Sequence, residues 1–160
     1  MGRPARERAV SSSIWNNLIA MARIIKHSRF CWRLPLKALQ LLLNKNAFWA
    51  RQRSLKDLKK MLRGSEAVVS LWEEGVLVGF GRASSDGIYR AVLWDVVVDE
   101  KHQGQGNGTL LLGSLLEHRA LTGVERVYLI TTNNAGFYKQ LGFEEIESQT
   151  LMGKGTIKAL

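Results

Sequence analysis

The sequence predicts an α+β domain in which a mixed, mostly antiparallel central sheet is flanked by helices and preceded by a helical N-terminal extension. Three apolar segments separated by turn residues follow one another over residues 67–98, as in an antiparallel meander. A leucine-rich helical segment then leads to a further buried strand over residues 126–130. Because a helix joins these last two strands of one sheet, they are expected to run parallel, which makes the sheet mixed.

The individual elements follow from periodicity, turn residues and helix-end signals. Ser54 and Asp57 have the spacing of a helix N-cap with an acid three residues later, and Gly64 ends that helix. Gly79 and Gly81 in the second strand indicate a bulge or a close approach on one face. In order, we expect a short strand over residues 46–51, a helix over 54–64, strands over 67–72, 76–83 and 89–98, a helix over 106–121, a strand over 126–130, a helix over 135–141 and an edge strand over 143–150.

The net charge of +9 is concentrated at the N-terminus. Residues 1–56 contain 12 Lys/Arg and the single acid Glu7, whereas residues 57–160 contain 11 Lys/Arg and 13 acids. We therefore assign residues 1–45 to a basic, partly helical extension with an unstructured start, and residues 46–160 to the main domain. The extension could lie on an anionic membrane, bind a partner, act as an organelle transit peptide or pack on the domain with a basic face in water.

Composition excludes several kinds of site. The single cysteine, Cys31, excludes an internal disulfide framework and a cysteine metal cluster. The three histidines do not have metal-ligand spacing, so no metal is expected. No apolar run reaches the roughly 20 residues that cross a bilayer. Nucleic acid is disfavoured as a partner, because the basic residues form no recognised nucleic-acid motif.

The segment Gln103-Gly104-Gln105-Gly106-Asn107-Gly108, called the glycine loop below, joins a buried strand to a helix. A helix start presents unpaired backbone N–H groups at the positive end of the helix dipole, which favours a phosphate or pyrophosphate. A dinucleotide-binding loop belongs to an early βαβ unit, but this loop follows a meander. A nucleoside-triphosphate loop needs Gly-Lys-Ser/Thr, and the chain has Gly108-Thr109 without the lysine.

Two motifs in this order carry a family resemblance. The first is Gln-x-x-Gly-x-Gly at positions 103, 106 and 108, and the second is Phe137-Tyr138-x-x-Leu141-Gly142-Phe143. Over roughly residues 47–150 the sequence resembles the GNAT superfamily of acetyl-CoA-dependent N-acetyltransferases. The segment Ala91–Val98 looks most like the cyanobacterial and plastid branch, with its serotonin-type and protein-lysine acetyltransferases.

The resemblance implies acetyl-CoA as co-substrate, without a metal. Backbone N–H groups of the glycine loop and of the following threonine would hold the pyrophosphate, and the pantetheine arm would pair with the central strand, which parts from its neighbour just beyond Val98. The loop before Tyr138 is shorter than in many members, so the assignment of Asn134 is less direct, with Asn133 beside it. The implied cofactor-binding residues are Val96, Val97, Val98, Gln103, Gly104, Gln105, Gly106, Asn107, Gly108, Thr109 and Asn134.

Two side chains are candidates for the chemistry. By resemblance, Tyr138 is the general acid that protonates the departing thiolate, and otherwise it packs beside Phe137. Asp95 is the only acid in its strand, and a buried acid needs partners. It could be the general base, orient a water, bind a substrate ammonium or make a structural hydrogen bond to a neighbouring loop. Strand alternation places Trp94 on the opposite face, unless a bulge intervenes.

These inferences predict an N-acetyltransferase that moves an acetyl group to a primary amine, by direct attack in a ternary complex. The amine of an arylalkylamine, a protein lysine, a protein N-terminus or a polyamine would serve as acceptor. The alternatives are a non-catalytic acetyl-CoA-binding regulatory module and a protein whose basic N-terminus carries the main function. We expect a cytoplasmic protein, with the plastid stroma as alternative, and either a monomer or a homodimer.

Overall fold

The computed structural model describes residues 22–27 and 34–155, and the structural statements below refer to those residues. The chain divides into two compact units, Met1–Ile130 and Thr131–Leu160. The first unit contains β1 (Ala22–His27), α1 (Leu36–Asn46), a 3₁₀ turn (Phe48–Ala50), α2 (Leu55–Arg63), β2 (Ala67–Glu73), β3 (Val76–Ser85), β4 (Arg90–Val98), a second 3₁₀ turn (Glu100–His102), α3 (Asn107–Leu116) and β5 (Arg126–Leu129). The second unit contains α4 (Ala135–Lys139).

The five strands form one sheet in the order β1-β2-β3-β4-β5. Neighbours from β1 to β4 are antiparallel, and β5 runs parallel to β4. Glu74 and Gly75 connect β2 to β3 with φ angles of +47° and +78°, the left-handed pair that a two-residue type I′ hairpin needs. The predicted meander, the helical crossover and the mixed α+β sheet are therefore confirmed.

Helices cover both faces of this sheet. Leucines of α1 and α2 form a buried cluster with Phe80 and Val97 on one face. On the other face, α3 passes so close to β3 that a Cβ added at Gly79 would lie 3.5 Å from Leu111 Cδ2. A Cβ added at Gly81 would lie 3.3 Å from Leu115 Cδ2. The close approach predicted from these two glycines is confirmed, and the missing side chains let the helix pack against the strand.

Substituting Gly79 by alanine should therefore destabilise the protein. The new Cβ would lie 3.0 Å from Leu71 Cβ, and we expect a loss of about 1–3 kcal/mol in the free energy of unfolding, measured by urea denaturation. Gly113→Ala is the matched control, since its added Cβ meets no atom within 4 Å. Alanine favours a helix over glycine, so the control should be neutral or stabilising by up to about 1 kcal/mol. Equal stabilities of the two variants would contradict the packing argument.

Within the predicted N-terminal extension, residues 22–27 are a strand and not a helix. Pairing along β2, from Ala22↔Glu73 to His27↔Val68, outweighs the helical pattern of this segment, and His27 is buried with its Nε2 atom 2.7 Å from Ser70 Oγ. Residues 36–46 are helical, as predicted, and contribute to the buried core. The predicted boundary at residue 46 thus falls at the end of a core helix. The interpretations of residues 1–21 and 28–33 as an unstructured start, a transit peptide or a membrane- or partner-binding segment lie outside the described residues.

Two predicted strands are wrong. Residues 46–51 contain the end of α1 and the 3₁₀ turn Phe48–Ala50, in which the Ala50 N–H donates to Ala47 O. Both alanines are buried, so this short apolar run packs as a turn. Residues 143–150 form turns and irregular backbone. Their three glutamates disfavour a strand, and a partial alternation of apolar residues does not compensate.

Candidate active site

The glycine loop lies between the second 3₁₀ turn and α3, at the carboxyl end of β4. Gly104 and Gly106 have φ angles of +72° and +83°, a left-handed conformation that glycine adopts without strain. Gly106 is the N-cap of α3, no side chain caps it, and its carbonyl accepts the Leu110 N–H at 3.0 Å. The N–H groups of the first helical turn therefore have no acceptor within the helix. Asn107, Gly108 and Thr109 form this turn.

The amide side chains of the glycine loop fold back onto the segment before it. Each donates from its nitrogen to a carbonyl oxygen: Gln103 to Val98 at 2.9 Å, Gln105 to Lys101 at 3.2 Å and Asn107 to His102 at 3.0 Å. Asn107 Nδ2 also donates to Glu73 Oε1 at 3.0 Å. The alternation of amides and glycines thus has a structural cause, since the amides hold the loop while the glycines permit its backbone conformation.

Asp99 attaches the start of this segment to α1. Its Oδ2 atom lies 2.6 Å from Lys45 Nζ and 3.3 Å from Asn46 Nδ2, and Asn46 Oδ1 accepts the Glu100 N–H at 3.0 Å. Burial by itself would raise the pKa of Asp99, but hydrogen bonds from Lys45, the Lys101 N–H and Asn46 lower it to about 2. An ionised carboxylate therefore joins the segment before the glycine loop to α1.

Because the pKa of Asp99 is lower than its unfolded value of about 3.9, the ionised side chain stabilises the fold above about pH 4. This stabilisation is lost as the pH falls towards 2. We expect Asp99→Asn to lower Tm near neutral pH, and the difference from the parent protein to shrink on acidification to about pH 3. Glu100→Gln, an exposed neighbour, controls for the loss of one charge. A Tm difference that did not vary with pH would exclude this role.

The open edge of the sheet begins inside β4. β5 pairs with β4 only from Arg90↔Arg126 to Leu93↔Leu129, so the two strands part before Trp94. The expectation that they part just beyond Val98 is therefore wrong. The cause is the shortness of β5, which ends at Leu129. On the other side, Val97 and Val98 pair with β3. Residues 96–98 therefore have a strand neighbour on one side only within the described residues.

A β-bulge lies where the strands part. Arg82 pairs with Trp94 and Phe80 pairs with Val97, so Gly81 alone faces two residues, Asp95 and Val96. Asp95 has a φ of +52°, a conformation that is strained for a residue with a side chain. Such strain of about 1–3 kcal/mol persists only where surrounding contacts impose it.

The Asp95 carboxylate is held by three donors. Arg82 Nε and Arg53 Nη1 both donate to Oδ2, at 2.7 and 2.9 Å, and Trp49 Nε1 donates to Oδ1 at 3.2 Å. The side chain is 4% exposed. Burial opposes its ionisation, but the hydrogen bonds and charges of Arg53 and Arg82 outweigh burial and lower the pKa of Asp95. These contacts match the structural alternative considered for Asp95, because both oxygens are occupied and a low pKa makes a weak base.

Trp94 lies on the same face as Asp95, because the bulge interrupts the alternation of β4. The guanidinium of Arg82 lies 5.9 Å from the centre of the Trp94 ring and also contacts the Asp95 carboxylate. Trp94 Nε1 donates to Ser84 Oγ at 2.8 Å. The expectation that Trp94 and Asp95 lie on opposite faces of the sheet is therefore wrong. The cause is a bulge, the one exception that the prediction named.

The site residues predicted from the sequence do not include Trp49, Arg53 or Arg82. Arg82 carried a signal, since it is the only charged residue of β3, and Asp95 is the only acid of the neighbouring β4. Two opposite charges in adjacent apolar strands could have been paired. Trp49 and Arg53 carried no such signal, because they belong to the connection between α1 and α2.

Phe48 and Trp49 form an exposed aromatic pair beside this cluster. Their rings meet edge to face with centroids 5.1 Å apart, and each residue is 46% exposed. The bond from Trp49 to Asp95 fixes the indole. The pair is an exposed apolar surface next to a charged group, an arrangement suited to binding a flat side chain or ligand.

In the second unit, Tyr138 lies on α4 between two aromatic rings. Its ring centroid is 5.1 Å from that of Phe137 and 5.9 Å from that of Phe143. The Phe143 N–H donates to Tyr138 O and the Gly142 N–H to Lys139 O, with Gly142 at a φ of +86°, which is a Schellman helix end. This geometry accounts for the spacing of the second motif. Burial raises the pKa of Tyr138, which keeps its hydroxyl protonated.

Asn134 is the N-cap residue of α4. Its carbonyl accepts the N–H groups of Phe137 and Tyr138, and its own N–H donates to Thr131 Oγ1 at 3.2 Å. No side-chain bond caps the helix, so the amide of this exposed residue is not used by the cap. Its assignment as a cofactor-binding residue stays a prediction.

The described residues offer neither a metal-binding group nor a membrane-spanning helix. These residues contain no group of three or more His, Cys, Asp or Glu side chains that could hold a metal ion. No helix within the described ranges is long and apolar enough to cross a membrane.

Comparison with known sequences gives the family. The profile of the Acetyltransferase (GNAT) family matches residues 36–143, more than half of the chain. The chain belongs to the GNAT family. The sheet that opens along β4, with the glycine loop at the end of that strand, therefore belongs to a GNAT domain. The protein is an acyltransferase of this family.

Relatives agree with the plastid branch. Uncharacterized N-acetyltransferase ycf52 from Pyropia yezoensis is 30% identical over 138 residues, which cover 76% of this chain and 79% of that protein. GCN5-related N-acetyltransferase 1, chloroplastic, from Arabidopsis thaliana is 39% identical over 67 residues, or 41% of this chain and 34% of that protein. A GNAT-family crystal structure from Xanthomonas campestris pv. campestris superposes with a TM-score of 0.70 at 26% identity, covering 84% of this chain and 94% of that one.

The GNAT fold implies acetyl-CoA as co-substrate, and the described residues fit it. A Cβ added at Gly104 or Gly106 would meet no protein atom within 4 Å. Open space therefore lies beside the loop, next to helix-start N–H groups that have no acceptor within α3. Such groups favour a pyrophosphate. The free edge of residues 96–98 runs towards this loop and offers backbone groups to an amide-containing arm.

Proposed function

We propose that this GNAT acyltransferase acetylates a primary amine by direct attack in a ternary complex with acetyl-CoA. The observation that carries the proposal is the opening of the sheet after Leu93, with the glycine loop at the far end of the same strand. When bound, acetyl-CoA supplies an activated acyl thioester. The backbone N–H groups of residues 104–109 hold its pyrophosphate, and residues 96–98 pair with its pantetheine arm. Gln103 acts through the loop, by fixing Val98 O.

Tyr138 is the proposed general acid. The amine nitrogen bonds to the acetyl carbon, the bond from that carbon to sulfur breaks, and Tyr138 gives its phenolic proton to the leaving sulfur. The amine loses one proton to water, and solvent returns a proton to Tyr138. Burial supports this role, because the raised pKa keeps the proton on Tyr138 at neutral pH.

For Asp95 we propose a positioning role in place of the general base. Its three hydrogen bonds join β4 to β3 and to the connection between α1 and α2. They hold a strained bulge at the point where the sheet opens. By this proposal, Asp95 acts through the backbone of β4 and does not accept a proton from the amine.

The acceptor is best supported as an aromatic amine. The exposed pair Phe48 and Trp49 provides an apolar wall near the opening of the sheet, and a pre-ordered wall costs little entropy on binding. Protein lysines and N-terminal amines are further acceptors implied by the resemblance. The chloroplastic relative supports the plastid stroma as the compartment. Cytoplasmic location, membrane or partner contact and oligomeric state stay predictions.

A panel of amines with acetyl-CoA tests the proposal, with release of free CoA as the readout. The panel contains aromatic amines, a lysine peptide, an N-terminal peptide and a polyamine. We expect turnover of at least one aromatic amine. Tight acetyl-CoA binding without turnover on any amine would contradict this proposal and favour a regulatory acetyl-CoA-binding module.

The glycine loop is tested by Gly106→Val. A β-branched residue at a φ of +83° is strained, and its side chain would enter the open space beside the helix start. We expect the KM for acetyl-CoA to rise by about 10-fold or more, as when one or two charge-assisted hydrogen bonds are lost. Gly87→Val controls for the strain, since Gly87 has a φ of +79° in a turn away from the loop. An unchanged KM in Gly106→Val would remove the loop from the cofactor site.

A further inference from the structure

Two arginines share one carboxylate beside the opening of the sheet. Arg53 and Arg82 both donate to Asp95 Oδ2, at 2.9 and 2.7 Å. Both guanidiniums are always charged, so with one ionised carboxylate the cluster carries a net charge of +1. The arginine side chains are only 30% and 16% exposed. A partly desolvated excess charge is unfavourable until an anion joins it.

The arginines also keep unused donors. A guanidinium has five N–H groups in a planar fork. Arg82 uses Nε for Asp95, and Arg53 uses Nη1 for Asp95 and for Met61 Sδ at 3.4 Å. Among the described residues, no other hydrogen bond from either guanidinium is found. Arginine is well suited to hold a carboxylate through two parallel bonds.

The surroundings restrict the ligand. Trp49 contacts the same carboxylate and continues into the exposed aromatic surface with Phe48. A polyamine or a basic peptide would bring further positive charge to a cluster that already has an excess. An acceptor with an aromatic ring and a negative group would satisfy both surfaces.

We propose that Arg53 and Arg82 bind a carboxylate of the acceptor, so that the acceptor is an aromatic amino acid with its ring against Phe48 and Trp49. This inference rests on the proposed function, because it names the acceptor of the same reaction. Arg53 is the more exposed of the two and is the main specificity-determining residue. Both arginines also hold Asp95 and its bulge, and Arg82 makes the shorter contact with the carboxylate.

Matched acceptors test the inference in the full chain. Phenylalanine is compared with phenylethylamine, and tryptophan with tryptamine, with free CoA as readout and rates corrected for the fraction of neutral amine. We expect kcat/KM to be at least about 10-fold higher for the acceptor with the carboxylate, as for a charge-assisted hydrogen bond. The difference should lie mainly in KM.

In Arg53→Gln, the kcat/KM ratio between an acceptor with the carboxylate and its partner without it should be close to one. In Arg53→Lys the ratio should be intermediate, because lysine keeps the charge but lacks the planar guanidinium. Arg51→Gln is the control, since Arg51 is exposed and lies in the same connection. Tm and acetyl-CoA affinity verify that each variant folds. Titration calorimetry in the presence of CoA measures the affinity for phenylalanine directly. This affinity should be lower in Arg53→Gln and unchanged in Arg51→Gln.

The outcomes are distinct. Equal or better turnover of the amines without a carboxylate overturns this inference and leaves the proposed function intact. An equal fall of the ratio in Arg51→Gln and Arg53→Gln also overturns it, because bulk charge would then be the cause. Acetyl-CoA binding without turnover on any amine overturns the proposed function itself, and this inference with it.

Discussion

The Tyr138→Phe variant is expected to turn over about 100-fold more slowly than the parent enzyme, with acetyl-CoA affinity changed by less than about 2-fold. The phenol and the benzene ring have almost the same shape, so the contacts with Phe137 and Phe143 are retained. Only the proton donor is lost. The leaving sulfur must then depart as a thiolate or take a proton from water, and the barrier rises.

The measurement is kcat for the best amine of the panel, with the acetyl-CoA Kd determined separately. Tyr89→Phe is the matched control, because Tyr89 is 60% exposed beside the turn between β3 and β4. In the parent enzyme the loss of kcat at high pH should lie above the usual tyrosine pKa of about 10, since burial raises the pKa of Tyr138. A parent-like kcat in Tyr138→Phe would leave Tyr138 with a packing role only.

The Asp95→Asn variant separates a general base from a positioning residue. Removal of the charge leaves two arginines partly buried without their carboxylate, and we expect a loss of about 3 kcal/mol in the free energy of unfolding. If Asp95 positions the bulge, kcat should fall at all pH values without a change in the shape of the kcat–pH profile. A base would instead produce a large fall in kcat, with the acidic limb of the profile removed.

Trp49→Phe serves as the comparison for Asp95→Asn. It removes one of the three hydrogen bonds to the carboxylate and keeps an aromatic ring. Its stability and its kcat should lie between those of the parent enzyme and Asp95→Asn if the carboxylate acts by holding the bulge. The stabilisation by ionised Asp95 is present above the unfolded pKa of about 3.9 and is lost as the pH falls towards its lowered folded value. The free energies of unfolding of the parent enzyme and of Asp95→Asn should therefore converge in acid.

Local features of the chain were predicted well because their causes are local. The bond from the Asp57 N–H to Ser54 Oγ starts α2 as the spacing indicated. The glycine loop follows from two positions with left-handed φ angles and from the start of a helix. The second motif follows from a helix end in which Gly142 lets Phe143 return to Tyr138. Each feature involves residues within about one helical turn or one strand end.

The features that the sequence did not reveal depend on contacts between distant segments. β1 is a strand because β2 offers an edge, and the sheet opens early because β5 ends at Leu129. The hydrogen bonds of Asp95 were not predictable for the same reason, since its partners Trp49 and Arg53 precede it by 46 and 42 residues.

By itself, the sequence therefore determined the α+β class, the place of the glycine loop at the start of a helix and the aromatic setting of Tyr138. Periodicity, helix ends and glycine conformations specify these features within short segments. Only the tertiary structure decided where β4 becomes free, which residues hold its bulge and what charge lies beside it. The physical reason is that a buried charge is defined by the donors that surround it in space, and the chain brings those donors together only when it folds.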